Sequence, residues 1–374
     1  MRGVAVAIAT AVGTGAVAGC AGEYPMTTFA PVTQFGARLN DLLSLVFWLT
    51  IGILVIVLGV LTFVIVRYRE RPDGPPPRKI YGNNLAEILW TLGPAVIVAI
   101  MIVPTVQLIF ETYQPPENGD EQLVVDVVGH QWWWEYQYDG LEIITANELH
   151  VPVDRPIELR LWTADVLHSW WVPRLGGKRD NFPRPTVVEE QAPNWHVLRF
   201  TIDEAGEYLG QCAEFCGTAH ALMGTRVVAH EPEAFEAWVE RFREPEAADL
   251  DPTDPAPAPE LVAMAGDTAR ARELVASGYE TFTSSTCVAC HAVEGTTASG
   301  RVGPDLTGLG ERWSIGAGTV DMTYDDLVRW ITHPQSIKPG VLMPGTETEG
   351  GGFPPTGLSQ EEVRAVAAYL LSLQ

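Results

Sequence analysis

The chain has 374 residues, 24 Lys+Arg against 47 Asp+Glu, a formal net charge of −23 and 47% hydrophobic residues. So acidic a chain cannot neutralise a phosphate backbone, which argues against nucleic acid as a partner, and its apolar content argues against a largely disordered or fibrous chain. The length admits two or three domains, an acidic exterior suits a basic protein partner, and five cysteines form an odd set that needs an explanation.

Residues 3–22 carry no charge, follow Arg2 and are rich in Ala and Gly, the pattern of an export signal. The segment ends Val17-Ala18-Gly19-Cys20, which resembles the lipobox of bacterial lipoproteins; this implies cleavage after residue 19 and a lipid on Cys20. Two further apolar runs, 42–66 and 88–110, have no charged residue and are long enough to cross a bilayer, which takes about 20 residues. Between them lie Arg67, Arg69, Arg71, Arg78 and Lys79 against Glu70 and Asp73, so the short loop belongs on the cytoplasmic side. Both ends of the hairpin then lie outside the cell, in agreement with the export signal. The expected localisation is a bacterial plasma membrane, spanned twice, with both termini extracytoplasmic.

Beyond the second span, 123–128, 157–162, 196–202 and 224–229 are short β-rich runs punctuated by Gly and Pro, as in a small sandwich or barrel. The aromatic stretch 130–138 is also strand-like, and 232–243 reads as one amphipathic helix. Residues 244–260 hold six acids, five prolines and four alanines without a basic residue, which predicts a stiff, extended linker. After it, helices are expected over 269–282, 324–332 and 361–372. The predicted division is 1–19 signal, 20–111 N-terminal segment and membrane hairpin, 112–243 β-domain, 244–263 linker and 264–374 helical domain.

The segment 212–223 places Cys212, Glu214, Cys216, His220 and Met223 in twelve residues, and His168 lies upstream. Two thiolates, two imidazoles and a thioether form a soft donor set that favours copper. A mononuclear blue-copper site uses one Cys, so the second Cys suits two coppers bridged by both sulfurs. His168, His220 and Met223 add three bonds, and one backbone carbonyl of the loop would complete two four-coordinate ions. A Cys212–Cys216 disulfide would leave His220 and Met223 without a purpose, and zinc does not favour a thioether.

These residues, with Gly129-His130-Gln131-Trp132-Trp133-Trp134 and Asp165-Val-Leu-His168-Ser-Trp, make roughly 30–240 resemble the binuclear-copper subunit, subunit II, of haem–copper cytochrome c oxidases. The resemblance implies a cupredoxin β-barrel and supplies the carbonyl of Glu214 as the missing ligand. It also implies a magnesium or manganese ion reached by the Glu214 carboxylate at the border with subunit I. Trp132 matches the residue through which electrons enter, and Glu87, ahead of Trp90-Thr-Leu-Gly-Pro94, matches the mouth of a proton pathway into subunit I. The residues alone would make Trp132 a packing aromatic and Glu87 an interfacial carboxylate. Two departures are Trp133, where the family commonly has Tyr, and the signal-like segment; neither touches a ligand.

In the C-terminal part, Cys287-Val-Ala-Cys290-His291 has the spacing of covalent haem attachment, with His291 as the proximal iron ligand. Met322, His333 and Met343 are candidates for the sixth ligand; Met343, in the Pro-flanked loop 338–344, is favoured, and Met is usual in a high-potential carrier. Residues 264–374 resemble a class I cytochrome c, which implies that the Pro304 carbonyl accepts the Nδ1 proton of His291 and fixes its tautomer. The cysteines are then all used: one for lipid, two for copper, two for haem.

The expected fold is therefore a membrane-anchored multidomain chain: a two-helix transmembrane hairpin, a cupredoxin-like β-barrel and an all-α cytochrome c domain. The expected function is the electron-input subunit of a bacterial respiratory cytochrome c oxidase. Electrons would pass from the haem to the dicopper centre and on to a partner that reduces O2 and pumps protons. The expected partners are subunit I, subunit III, and a quinol–cytochrome c reductase or small cytochrome c as donor. The alternative is the dicopper subunit of a nitric oxide reductase; a copper store or chaperone would have no need of an attached haem.

Overall fold

The structure is a computed structural model and describes residues 24–69, 81–113, 122–183, 197–243 and 251–374. The export segment, Cys20, Arg71, Arg78 and Lys79 lie outside the described residues.

Helix α1 spans Gln34–Arg67 and α2 Asn84–Tyr113, containing the two apolar runs. At ~1.5 Å per residue α1 is ~50 Å long, more than the ~30 Å hydrocarbon core, so it projects beyond the bilayer. Its first turn is fixed from above. The Thr33 hydroxyl caps Gly36 N at 2.9 Å and donates to Leu175 O at 2.7 Å, and Phe35 packs against Gly176, where a Cβ would lie 2.5 Å from the ring. The hairpin thus carries the β-domain directly on its outer end. Pro94 and Pro104 sit inside α2, as membrane helices tolerate.

Ten strands follow: β1 Leu123–His130, β2 Trp133–Tyr138, β3 Ile143–Ala146, β4 Glu148–Pro152, β5 Ile157–Thr163, β6 His168–Trp171, β7 Arg179–Pro183, β8 Val197–Phe200, β9 Gly206–Cys212 and β10 Gly224–His230. The sheet runs β3-β2-β1-β5-β7-β6-β9-β10-β4, with β8 beside β5. Its two end strands are consecutive in sequence, joined only by Asn147 at φ 67°, so the sheet curls round to form the expected cupredoxin-like barrel. Asn tolerates this left-handed backbone, and its Oδ1 accepts Trp134 N at 3.0 Å, pinning the corner. Strict alternation in β1 sends Leu123, Val125 and Val127 inward onto Trp134, Tyr136, Leu159 and Trp170. The aromatic stretch 130–138 is not one strand: β1 ends at His130, and Gln131 and Trp132 turn the chain before β2. Helix α3, Pro232–Arg243, closes the barrel with Phe235, Trp238 and Val239, as its amphipathic pattern predicts.

Under α3, His150 is stacked on Trp238 at 4.6 Å, with its Nδ1 2.8 Å from His230 Nε2. Burial pushes its pKa from 6.5 down to about 3, and His230, Arg312 and Arg241 push the same way. The unfolded chain therefore binds more protons than the fold between those values, and stability should fall as pH drops through that window. Thermal melts from pH 7 to pH 4 should show this slope, and His150→Phe should flatten it; an unchanged slope in the variant would remove His150 as its source.

The C-terminal part is helical: α4 Pro259–Ala265, α5 Thr268–Ser284, α6 Cys287–Cys290, α7 Tyr324–Thr332, α8 Pro334–Ile337 and α9 Gln360–Leu371. Helices α5 and α9 cross at Gly278, where a Cβ would lie 2.0 Å from Ala365 O, so only glycine allows this approach. A reciprocal Ser359–Glu362 capping box starts α9. A small hairpin, β11 Ser314–Ile315 and β12 Val320–Asp321, interrupts the helices. The described half of the acidic stretch is not an extended tether. Pro252 O accepts from Tyr369 Oη at 3.0 Å, Ala258 N donates to Ser372 Oγ at 3.2 Å, and Leu261 is fully buried.

Candidate metal and haem centres

Strands β9 and β10 form a hairpin whose base is closed by Cys212 N to Met223 O, 2.8 Å. The loop above it carries the soft donors, and neighbouring β6 presents His168 at its first residue. Cys212 Sγ lies 3.9 Å from His168 Nδ1, 3.8 Å from Cys216 Sγ and 3.2 Å from Glu214 O. Cys216 Sγ lies 3.6 Å from His220 Nδ1 and 3.9 Å from Met223 Sδ. Every predicted donor is therefore in one cluster, buried at His168, Cys212, Cys216 and Met223 and half-buried at Glu214 and His220. The sulfur separation is far beyond a ~2.05 Å disulfide, but metal ions at ~2.3 Å from each sulfur can bridge it. The donor set fits soft metal ions shared by both thiols.

Orientation comes from residues that the search for ligands passed over. Asp165 Oδ1 pairs with His168 Nε2 at 2.8 Å, which turns Nδ1 towards Cys212. Asp165 Oδ2 accepts Gln131 N at 2.7 Å, and Gln131 Nε2 donates to Cys216 O at 2.7 Å. Gly129 is needed because a Cβ there would lie 2.7 Å from the His168 ring. The quoted motifs contain all three residues, but only contact shows their work. Burial alone would lower His168, but Asp165 and Cys212 beside it raise its pKa overall. The mutual contact of the two thiols lowers Cys212 and raises Cys216.

Trp132 lies over the loop: its Nε1 donates to Cys216 O at 3.0 Å, and it is only 7% exposed. Gly217, at φ 116°, lets the loop pass beneath the indole. Phe215 is 77% exposed beside Glu214, whose carboxylate lies 3.6 Å from Lys178 Nζ. Glu87 is in the first turn of α2, and its Oε1 accepts Asn83 N at 3.2 Å, so in the isolated chain it caps the helix.

In the helical part, Cys287 and Cys290 sit at the two ends of α6, and burial raises both thiols. His291 Nδ1 lies 2.8 Å from Pro304 O, the predicted pairing, which leaves Nε2 free. Burial lowers the His291 pKa, so the ring is neutral, as an iron ligand must be. Gly303 is required by the ring, since a Cβ would lie 2.6 Å from Cε1. Met343 and Met322 are both half-buried against the helical core, while His333 is exposed. The chemistry of these donors fits a thioether-linked haem.

Comparison with known proteins agrees with both halves. Residues 32–108 match the family described as cytochrome c oxidase subunit II, transmembrane domain; 140–230 match its periplasmic domain, and 275–374 match cytochrome c. The chain is 32% identical over 360 residues to cytochrome c oxidase subunit 2 of Alkalihalophilus pseudofirmus, covering 95% of this chain and 93% of that one. It is 30% identical to the subunit 2 of Bacillus subtilis, covering 96% and 94%. Quinol oxidase subunit 2 of Bacillus spizizenii is 32% identical over 60% of this chain and 67% of its own length. Among solved structures, the periplasmic domain of subunit II of cytochrome oxidase from Bradyrhizobium japonicum is 27% identical with a TM-score of 0.30, covering 35% of this chain and 99% of that one.

Proposed function

Because this chain belongs to the cytochrome c oxidase subunit II family, we propose that its haem domain passes electrons to a dinuclear copper centre held by His168, Cys212, Glu214, Cys216, His220 and Met223. The chain is the electron-input subunit of a haem–copper oxidase complex, it carries copper and haem, and its two apolar helices anchor it in a membrane beside subunit I. The observation that supports the two-metal reading is the placement of Cys216 within 4 Å of Cys212, His220 and Met223 at once. The Glu214 carbonyl, 3.2 Å from Cys212 Sγ, is the remaining donor. Copper held by both thiols would supply one-electron transfer with little rearrangement of its donors. Asp165 holds His168, and Gln131 and Trp132 hold the Cys216 carbonyl, so the loop is fixed before and after transfer.

In the haem domain, Cys287 and Cys290 would attach the group, and His291, steadied by Pro304, and Met343 would ligate its iron. Electrons reach it from a quinol–cytochrome c reductase or a small cytochrome c. The retained copper donors favour such a donor over a quinol, and the named relatives do not favour a nitric oxide reductase. Glu214, beside the exposed Phe215, would turn its carboxylate to a magnesium or manganese ion when subunit I covers this face; subunit III completes the complex. The chain divides at 1–19, 20–111 and 112–243, with the metal domains and both termini outside and Cys20 lipidated.

The complex purified from membranes should hold two coppers in this subunit and show a seven-line mixed-valence EPR signal. Its haem should survive acid–acetone extraction, and Met343→Ala, unlike Met322→Ala, should lower the haem potential, since an axial Met raises it. One copper in this subunit, or loss of this subunit's own haem on extraction, would overturn the assignment. Glu87 we assign to the mouth of a proton pathway. Glu87→Gln keeps the helix cap but cannot carry a proton, so O2 turnover should slow while copper reduction by the haem is unchanged. Normal turnover would leave Glu87 a cap alone.

A further inference from the structure

The helical domain is seated on the barrel, and a lysine is buried in the seam. Lys338, which ends α8, is 1% exposed, and its Nζ donates to two carbonyls at 2.7 Å. One is Gly316 O, in the turn between β11 and β12 of its own domain; the other is Trp132 O, in the barrel. Two residues on, at Gly340 (φ 88°), a Cβ would lie 3.1 Å from Trp132 Cη2 and 3.2 Å from Thr218 Cβ, so this loop lies against the indole. Met343 is three residues further along the same loop.

Other bonds cross the same seam. Gly224 N, next to Met223, donates to Ala317 O at 2.9 Å. Trp313 N donates to the buried carboxylate of Glu148 at 2.9 Å. The Arg226 guanidinium lies 5.2 Å over the Trp313 ring, and Arg241 pairs with Glu311. A buried ammonium is costly unless its donors are matched, and of the two acceptors here one exists only while the domains are together. Hydrogen bonds from charged donors are also the stronger class. Inside its own domain Lys338 has a single partner, which a neutral donor could satisfy.

We propose that Lys338 is a positioning residue, a latch that fixes the haem-domain loop 338–343 on Trp132 so that transfer to the copper loop starts from one seated geometry. This rests on the electron-transfer reading above, but the latch itself can be tested separately from it. In the holo-complex, Lys338→Met removes the ammonium and keeps most of the stem. Hydrogen exchange at the Gly224 and Trp313 amides, which donate across the seam, should then accelerate about tenfold or more, as the seated fraction falls. Haem-to-copper transfer should slow, with both optical spectra and the haem potential unchanged, and Lys338→Arg, which restores charged donors, should recover much of both. Should Met at this position disturb the haem spectrum by leaving Gly316 O unpaired, Lys338→Gln replaces it. Its neutral amide is one bond shorter, removes the charge and keeps a donor at this position. Wild-type exchange at both amides in a spectrally intact variant would overturn the latch. So would faster exchange with an unchanged transfer rate. Absence of haem-to-copper transfer in the wild type would instead sink the functional reading, while the exchange arm would still decide the role of Lys338.

Discussion

Cys216→Ser should abolish the seven-line EPR signal and with it nearly all O2 turnover, while leaving the haem spectrum as in the wild type. Cys216 is the hub of the donor cluster, within 4 Å of Cys212 Sγ, His220 Nδ1 and Met223 Sδ. Serine puts a harder donor with a shorter bond to Cβ in that place, and a hydroxyl does not ionise at neutral pH as a metal-bound thiol does. Changes in residues that merely orient ligands cost ~10–100-fold in metal affinity, so loss of a bridging ligand should cost more. The barrel should still fold, because the bulk of its core, with Trp134, Tyr136, Leu149 and Trp170, is left in place by so small a change. Survival of the seven-line pattern would show that Cys216 does not bridge. A variant that lost its haem as well would show that the cysteine matters for folding, not for copper alone.

The chemistry of both sites was legible in the sequence because each depends on donors close together in the chain. Cys212 to Met223 fit one hairpin loop, and Cys287 to His291 fit one helical turn and its exit. Only His168 had to be brought from elsewhere, and its motif marked it. The strands read from the sequence were those with apolar or aromatic runs: β1, β5, β8 and β10, and β2 within the aromatic stretch. Two of those missed have polar side chains pointing inward for reasons that lie far away. Glu148, in β4, is buried because it takes the Trp313 amide from the haem domain. Asn181, in β7, is buried because its amide bonds the carbonyls of Val127 and Trp162 in two other strands. Composition shows a polar residue in each place and cannot show its partner. The acidic stretch failed in the same way: nothing local indicates that Tyr369 and Ser372, over a hundred residues on, hold Pro252 and Ala258. Lys338 reads as a solvent-facing charge in a rigid loop, and only the seam with Trp132 makes it a buried one.

Trp132→Phe should slow haem-to-copper transfer by an order of magnitude or more without altering either centre. One edge of this indole donates to Cys216 O at 3.0 Å, and the far ring lies against Gly340. The side chain therefore touches the copper loop and the haem-ligand loop together. Phenylalanine loses the N–H and part of the ring, so the contact opens on both sides. The copper spectrum should survive, because Gln131 Nε2 still holds the Cys216 carbonyl at 2.7 Å. The haem potential should also survive, because neither His291 nor Met343 loses a partner. Trp133 is the control. It is half-buried and stacked on His130 at 4.1 Å. Trp133→Phe should weaken that stack at a cost of about 0.5–1.5 kcal/mol in stability and leave the rate alone. Flash or stopped-flow reduction, following both centres, separates the two variants. Equal rates in wild type and Trp132→Phe would leave Trp132 as the lid that packs the loop, and electrons would then have to cross from the loop 338–343 to the copper ligands by another contact of the same seam, the nearest being Gly224 N with Ala317 O beside Met223.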